Sequence, residues 1–428
     1  MTSMIFVATC DLAGQTRGRA VPAADHEKVL RTGVGWVPAD LAISCFGPIA
    51  EDNVFGSTGD LRLVPDASTG VDIPADGTHP GVRLYLADQV LPDGSPWPCC
   101  PRAFARTALA EFRALTGLEV VASFEHEFVI EGLPDSPPFS FGRFRDAEPF
   151  GSRLVELMIQ AGLEPETWLP EYGDGQFEVT MRPSDAMVAA DRAVLLRELV
   201  RDLGRRHGHR PTFAPLLSPE GSGNGVHVHL SLRDAETGAP VLFDHARPGR
   251  LSEIGGRFAA GVLRHARAIT AITAPSPVSF LRLTPHRWSA GGVFLAEHNR
   301  EALLRICPTT ADGDVARQLN LEFRAADATA NPWLVIGTLV RAGLRGITAG
   351  YPEPKVWPEN STEAELSGVP RLPGSLDEAL VELAKDDVAR GWFDDDLLQT
   401  HLDVKRTELA LVEGLEPEEK CRRIADAY

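Results

Sequence analysis

Four short stretches constrain this chain more than any other feature, because each alternates side-chain character with the two-residue period of a β-strand. "VASFEHEFVI" carries Glu125 and Glu127, and "EYGDGQFEVTM" carries Gln176 and Glu178. "GVHVHLSL" carries His227 and His229, and "LNLEFRAAD" carries Glu322 and Arg324. Side chains two apart on a strand face the same side. Each stretch therefore has one polar face, while Phe124, Phe128, Phe177, Val179, Val226, Val228, Leu230, Leu321 and Phe323 make up the other. The apolar backs can pack on a core or on helices. The polar fronts must then share a wet concave surface, where crowded carboxylates repel one another unless a cation neutralises them. The pattern predicts a metal-lined bowl.

At 428 residues the chain is long enough for a large core and more than one domain. A net charge of −18 argues against non-specific binding to nucleic acid or to an anionic membrane. The opening "MTSMIFVATCDLAGQTRGRA" has no basic-then-apolar leader, and no apolar run reaches membrane-spanning length. Cys10, Cys45, Cys99, Cys100, Cys307 and Cys421 show no CxxC spacing. Reduced thiols in a cytoplasmic protein are the expectation.

Residues 1–100 are rich in Gly, Pro and Asp, with short β-like runs ("MIFVATCDL", "DLRLVP", "GVRLYLADQV") and one helical stretch near "ADHEKVLRTG". A small mixed sheet with one helix fits that pattern. "PDGSPWPCCPR" is a turn-rich boundary, and residues 101–428 form the second expected domain. Its first helix, "AFARTALAEFRALTG", ends on Gly117. "DAMVAADRAVLLRELVRDLGRRHG" reads as a strong amphipathic helix with Ser184 and Asp185 as capping candidates. "SEIGGRFAAGVLRHARAITAIT" and "NPWLVIGTLVRAGLRGITAG" read as apolar helices, the end of the chain as charged ones, and 353–374 as an irregular, exposed loop.

Glu125, Glu127, Glu171, Glu178 and Glu322, with His227, make six candidate ligands dominated by hard oxygen donors. Such a set suits Mg²⁺ or Mn²⁺ better than Zn²⁺. An ExE or HxH alone says little; four motifs of matching parity say more. Arg282, Arg300, Arg305 and Arg324 lie downstream, and planar guanidinium forks suit carboxylates and phosphates. Metal ligands and arginines together describe a phosphoryl-transfer site. No GxxxxGK[ST] occurs, so a nucleotide would be held in another way. "GSGNGVHVH" reads equally as part of such a site or as a flexible lead into a strand.

In order along the chain, "CDLAGQTRGRAVP", "DLRLVPDASTGVDIP", "FEHEF", "EYGDGQFE", "GNGVHVHLSL", "SFLRLTP", "NREALLRI" and "LEFRAADATANPWL" resemble the motifs of the glutamine synthetase superfamily. The likeness is strongest to its γ-glutamyl-amide (γ-glutamylpolyamine-type) synthetase branch. The resemblance implies an α+β fold: a small β-grasp-like N-terminal domain and a larger catalytic domain built on a curved antiparallel sheet flanked by helices. It implies at least two Mg²⁺ or Mn²⁺ ions per site and ATP as co-substrate. By position, Glu127, Glu171 and Glu178 match the ligands of one metal, and Glu125, His227 and Glu322 those of a second. His229 and Ser231 match residues near the nucleotide, and Arg300 and Arg305 those gripping its phosphates. Gly223 and Arg282 match glutamate-binding positions, and Arg324 matches an arginine at the transferred phosphoryl group. Glu171, Arg300 and Arg324 are thus the expected catalytic residues, and Glu171 also borders the amine. The family further implies homo-oligomeric rings, as a hexamer or a dodecamer, with active sites shared between subunits.

Two departures bear on substrate. Where ammonia-using members carry a flap glutamate after "RL-P", "RLTPHRWSAGG" has Trp288; where they carry an aspartate-containing "DGSS" loop, "ISCFGPIAED" has Phe46 and Gly47. Without those carboxylates an ammonium ion is costly to desolvate, whereas Trp288 and Phe46 offer apolar surface and cation–π contact to a larger amine. Glu51, Asp52 and Glu297 are candidates for a second charge on a diamine. The expected activity is ATP-dependent joining of glutamate to an organic amine. The alternatives are an ammonia-using glutamine synthetase and a non-catalytic, ring-forming relative.

Overall fold

The computed structural model describes residues 4–428, so residues 1–3 of the expected first domain lie outside the described residues. An N-terminal sheet combines β1 (Met4–Cys10), β2 (Thr16–Pro22), β3 (Val34–Trp36), β4 (Leu61–Pro65), β5 (Val71–Ile73) and β6 (Val82–Val90). The strand order is β2-β1-β6-β4-β3, with β5 also on β6; β1 and β6 run parallel and the other pairs antiparallel. The helix expected near residue 26 is His26–Thr32. This sheet shares its core with distant helices: Ile5, Val7, Trp36, Leu63 and Tyr85 pack with Ile272, Leu334, Leu380, Leu397 and Leu402. Arg102, almost fully buried, staples the two parts. Its guanidinium donates to Asp66 (2.9 Å) and Asp88 (3.2 Å) on one side and to Asp191 (2.9 and 2.7 Å) on the other.

The second sheet is built from β7 (Leu118–Glu131), β8 (Pro165–Pro170), β9 (Gln176–Met181), β10 (Ser184–Asp185), β11 (Arg210–Thr212), β12 (Val226–Asp234), β13 (Gly292–Glu297), β14 (Ala302–Ile306), β15 (Leu321–Phe323) and β16 (Val356–Trp357). Its order is β16-β13-β14-β15-β12-β7-β9-β8, with β10 and β11 also on β7. The sheet is antiparallel except at one end, where β13 runs parallel to both β14 and β16. The alternation in the sequence explains its two faces. Phe124, Phe128, Phe177, Val179, Val226, Val228, Leu230, Leu321 and Phe323 are all buried in the main core, under the helices Ala186–His207 and Pro332–Thr348. His126 joins that apolar side, edge-on to Phe213, and burial pushes its pKa down to about 3, so it packs as a neutral ring.

Three local expectations change. Asp185 sits at the helix N-cap position but makes no capping hydrogen bond; Ser184 and Asp185 pair with β7 instead, and the Asp185 carboxylate accepts from Arg233 at 2.5 Å. The helix expected over 252–273 breaks at His265, whose ring reaches sideways to Asp386 (2.6 Å) and Tyr351 (3.3 Å). The segment 353–374 is more ordered than its composition suggests. It supplies β16, a capped helical turn at Glu363–Leu366, and Trp357, Leu366 and Val369 packed on Phe294. Gln176 shares the face of Glu178, as the alternation implies, and donates from there to Gly223 O (2.8 Å) and Asn224 Oδ1 (2.9 Å) on the glycine-rich segment. Among the described residues all six cysteines are free, and no helix is long and apolar enough to cross a membrane.

Candidate active site

The register of five adjacent strands, β14, β15, β12, β7 and β9, sets the polar fronts side by side. Arg305 pairs opposite Glu322, Glu322 opposite His229, His227 opposite Glu125, and Glu127 opposite Glu178. Opposed residues in an antiparallel ladder point to the same face, close enough for their side chains to interact. One acid–base row thus crosses the sheet. Glu171 joins it from the turn between β8 and β9, its amide closed onto Gln176 O at 2.8 Å.

Three ligand groups converge in that row: Glu127, Glu171 and Glu178; Glu125, Glu178 and His227; and Glu125, His229 and Glu322. Within each group the donor atoms lie within 4.8 Å of one another. His229, expected beside the nucleotide, therefore also sits among the candidate ligands, with its ring 3.1 Å from Glu125 and 2.8 Å from Asn320. Ser231 follows on the same strand face, half-buried opposite Val121.

The two ends of the row differ in charge. Toward β9, burial and then repulsion from Glu125, Glu127, Glu171 and Glu322 push Glu178 up to about 9. Burial, and next Glu127, raise Glu171 as well. Toward β15 the balance reverses. Burial alone would raise Glu125, yet His229 and His227 hold its carboxyl well below the usual range. Glu322 is more deeply buried, but Arg324, His227 and His229 bring it down to about 2. Arg305 donates to it at 2.8 Å, Arg324 donates from the other side, and the Cys307 thiol lies 3.6 Å away. Uncompensated carboxylate oxygens at one end and imidazole and carboxylate donors in the middle fit hard divalent cations such as Mg²⁺ or Mn²⁺.

The remaining expected residues frame the row. Arg282 is buried and donates to Ala326 O at 2.7 Å. Gly223 has to be a glycine there: a Cβ would fall 2.4 Å from Arg282 Cγ. Arg300 is exposed, and its positive charge acts on Glu171. Arg324 spans three elements, donating to Glu322, to Arg300 O (2.9 Å) and to Trp288 O (2.9 Å). Trp288 itself is 71% exposed. Phe46 sits elsewhere in the chain, packed with the C-terminal segment and 4.8 Å under the Arg423 guanidinium.

Several contributors carry no motif. The Gly225 amide donates to Glu127 at 2.6 Å, fixing that carboxylate. Buried Arg143 donates to the carbonyls of Glu171 (2.6 Å), Tyr172 (3.2 Å) and Gly173 (2.6 Å), holding the turn that presents Glu171. Glu301 binds the loop that carries Trp288. Only Gly225, inside "GNGVHVH", had a local signal; Arg143 and Glu301 act through distant backbone.

The family profile described as the glutamine synthetase catalytic domain matches residues 98–422, and the glutamine synthetase N-terminal domain matches residues 2–97. A curated relative from Streptomyces coelicolor, named gamma-glutamylpolyamine synthetase GlnA3, is 34% identical over 96% of this chain and 91% of its own length. A glutamine synthetase from Thermococcus kodakarensis is 30% identical over 90% and 85%. A crystal structure described as a novel glutamine synthase homolog superposes with a TM-score of 0.92 at 43% identity, covering 100% of this chain and 99% of the other. A ligand-free structure of GmaS gives 0.83 at 25% identity over 98% and 96%.

Proposed function

Because the chain belongs to the glutamine synthetase family of ligases, we propose that it joins the γ-carboxylate of glutamate to a primary organic amine larger than ammonia, at the expense of ATP. The observation that carries the choice of amine is Trp288, which takes the place of a flap carboxylate and leaves an exposed indole at a loop tied by Arg324 to the acidic row. The 34% identity to a relative named gamma-glutamylpolyamine synthetase supports the same choice.

In this reading Arg282, with the space left by Gly223, receives glutamate, while Arg300, Arg305, His229 and Ser231 face ATP. A γ-carboxylate oxygen attacks the terminal phosphorus, the bond to the bridging oxygen breaks, and ADP leaves with its electrons. Arg324 stabilises the charge on the phosphoryl group in flight. The amine nitrogen then attacks the acyl carbon of γ-glutamyl phosphate, the C–O bond breaks, and inorganic phosphate departs. Glu171, which borders the amine in this reading, takes the proton from nitrogen. Glu127, Glu171 and Glu178 would hold one divalent cation, and Glu125, Glu322 and His227, whose ring lies 3.4 and 3.7 Å from the two carboxylates, a second, with His229 nearby; such cations supply Lewis-acid charge neutralisation when bound. Assembly as a hexameric or dodecameric ring in the cytoplasm belongs to the same reading, with Phe46 reaching the site of an adjacent copy. Exposed Ile49 and Val54, three and eight residues further along the chain, support that surface.

Phosphate release with glutamate and ATP fixed, across ammonium, ethanolamine, alkylamines, anilines and polyamines, tests the proposal. Turnover needing an organic amine, with ammonium poor, is the expected result. The relatives named glutamine synthetase at 30% identity favour a second reading, in which ammonia is the acceptor; comparable turnover with millimolar ammonium establishes it and overturns the first.

A further inference from the structure

The loop after Leu283 is anchored through its side chains, with the His286 ring 2.8 Å from Glu363, and through its backbone, where two amides end on one carboxylate. Glu301 stands immediately before β14, half-buried, and its own amide is fixed by Asn299 at 2.8 Å. One carboxylate oxygen accepts from the His286 amide at 3.1 Å, the other from the Trp288 amide at 3.0 Å, and the Glu301 carbonyl accepts from the Gly291 amide at 3.2 Å. His286 and Trp288 both have left-handed backbones, with φ of 67° and 52°. Neither is glycine, so each conformation costs on the order of 1–2 kcal/mol and persists only where the surroundings impose it. The two Glu301 hydrogen bonds fall on these two residues.

The same loop is wired to the rest of the site. Arg287 donates to Pro219 O (2.6 Å) and Gly221 O (3.1 Å), at the head of the glycine-rich segment that carries Gly223. Ser289 donates to Arg282 O at 2.6 Å. Arg324 takes the Trp288 carbonyl with the guanidinium that also takes Glu322. The indole receives no comparable support. The loop is thus a rigid mount for an exposed aromatic side chain at the edge of the acidic row.

We propose that Glu301 is a positioning residue for acceptor choice: its carboxylate imposes the left-handed backbone at His286 and Trp288, and so sets the indole where the amine substituent packs. The inference rests on the reading of Trp288 as acceptor surface. Glu301 touches neither substrate nor reacting atoms in this scheme. Removing its carboxylate frees the indole, and the enzyme loses discrimination between large and small amines before it loses the chemistry.

The test measures selectivity, kcat/KM for the best used of butylamine, putrescine and ethanolamine divided by kcat/KM for ammonium, in the full-length enzyme. Wild type, Trp288→Ala, Glu301→Ala, Glu301→Gln and the Trp288→Ala/Glu301→Ala double variant are compared. Hydrogen bonds to a charged group contribute enough that Glu301→Ala should lower selectivity about tenfold, through the KM for the amine, with the KM for glutamate and ATP unchanged. Glu301→Gln keeps one acceptor and should fall between. In the Trp288→Ala background the loss of Glu301 should change selectivity no further, because both act through one side chain. A fall in kcat shared equally by all acceptors, or additive effects in the double variant, overturns the assignment. If Trp288→Ala leaves selectivity intact, the parent reading of Trp288 fails. If Trp288→Ala alters it and Glu301→Ala and Glu301→Gln do not, Glu301 alone is misassigned. Thermal midpoints of both Glu301 variants separate misfolding from a selectivity effect.

Discussion

Replacing Arg143 by Met removes a guanidinium while keeping an apolar stem of similar reach, and it tests how the turn bearing Glu171 is held. Arg143 is 3% exposed, and one of its nitrogens serves three successive carbonyls, at 2.6, 3.2 and 2.6 Å, while the other reaches Ser136 O. Tyr172 lies in water and Gly173 is half-buried, so solvent can replace part of what is lost there; the bond to Glu171 O is the one that orients a candidate ligand. At about 1 kcal/mol net for each carbonyl, and more for a charged donor, the turn loses roughly 2–4 kcal/mol of local order. Global stability should change by less, because the turn can loosen without opening the core. The expected result is a fall of about 10–100-fold in divalent-cation affinity, the usual cost of losing a group that orients a ligand. Mn²⁺ titration by calorimetry, with the Mg²⁺ dependence of phosphate release, measures it. Arg143→Lys should recover part of the loss, since one ammonium can serve two of the three carbonyls. An Arg143→Met enzyme with a lower thermal midpoint but an unchanged Mg²⁺ activation curve would refute the reasoning: Arg143 would then be a fold determinant only.

Gly223, Arg102 and His401 each carry a separate expected outcome. Gly223→Ala forces a Cβ to within 2.4 Å of Arg282 Cγ, so the KM for glutamate should rise about tenfold or more with Mg²⁺ activation unchanged; an unaltered KM separates Arg282 from glutamate. Arg102→Met leaves the Asp66, Asp88 and Asp191 carboxylates facing one another between the two sheets, and should cost about 3–5 kcal/mol in urea unfolding; a change below about 1 kcal/mol would show that the staple is dispensable. His401 is buried against Ala271 O, and burial, with Lys405 nearby, lowers its pKa to about 3. The unfolded ring binds a proton near its ordinary value of 6.5, so this neutral histidine contributes stability above that pH and loses it as pH falls from 6.5 toward 3. Between pH 7 and pH 5 the loss is about 2 kcal/mol, and His401→Gln should flatten the urea midpoint over that range by that amount. Parallel pH profiles for the two proteins would remove His401 from the acid response.

What was legible in the sequence was whatever a two-residue or 3.6-residue period encodes. Phe124, Phe128, Val226, Val228 and Phe323 declared the buried backs of their strands because alternation is a local property, and the helix Pro101–Thr116 declared its end because Gly117 adopts φ 70° there. Strand order was not legible. Nothing near Glu322 indicates that β15 lies between β14 and β12, since pairing is decided by which apolar backs pack together over the whole sheet. Asp185 illustrates a tertiary override: a residue suited to capping is drawn into a ladder with β7 and bonded to Arg233. Arg143 and Glu301 were invisible for another reason. Each binds backbone carbonyls or amides, which every residue possesses, so their partners leave no trace in side-chain identity.

The electrical grading of the row gives one bowl an end suited to cations and an end suited to phosphate. Glu322 sits between the forks of Arg305 and Arg324, so that end carries positive charge left over after one carboxylate is satisfied. Glu127, Glu171 and Glu178 form no ion pair with an arginine, and that end crowds carboxylates whose mutual repulsion a proton or an added cation relieves. A single sheet face therefore presents adjacent fields of opposite sign, with His227 and His229 at the crossover. A polyphosphate carrying a divalent cation is matched by that gradient in one orientation and opposed by it in the other. Arg324 sits at the positive end of the row, and because it also holds the Trp288 carbonyl, the arginine proposed for the phosphoryl group and the loop proposed for the amine share one side chain. Substituting Arg324 should therefore damage both half-reactions together, whereas Glu301 and Arg143 each reach only one side of the site.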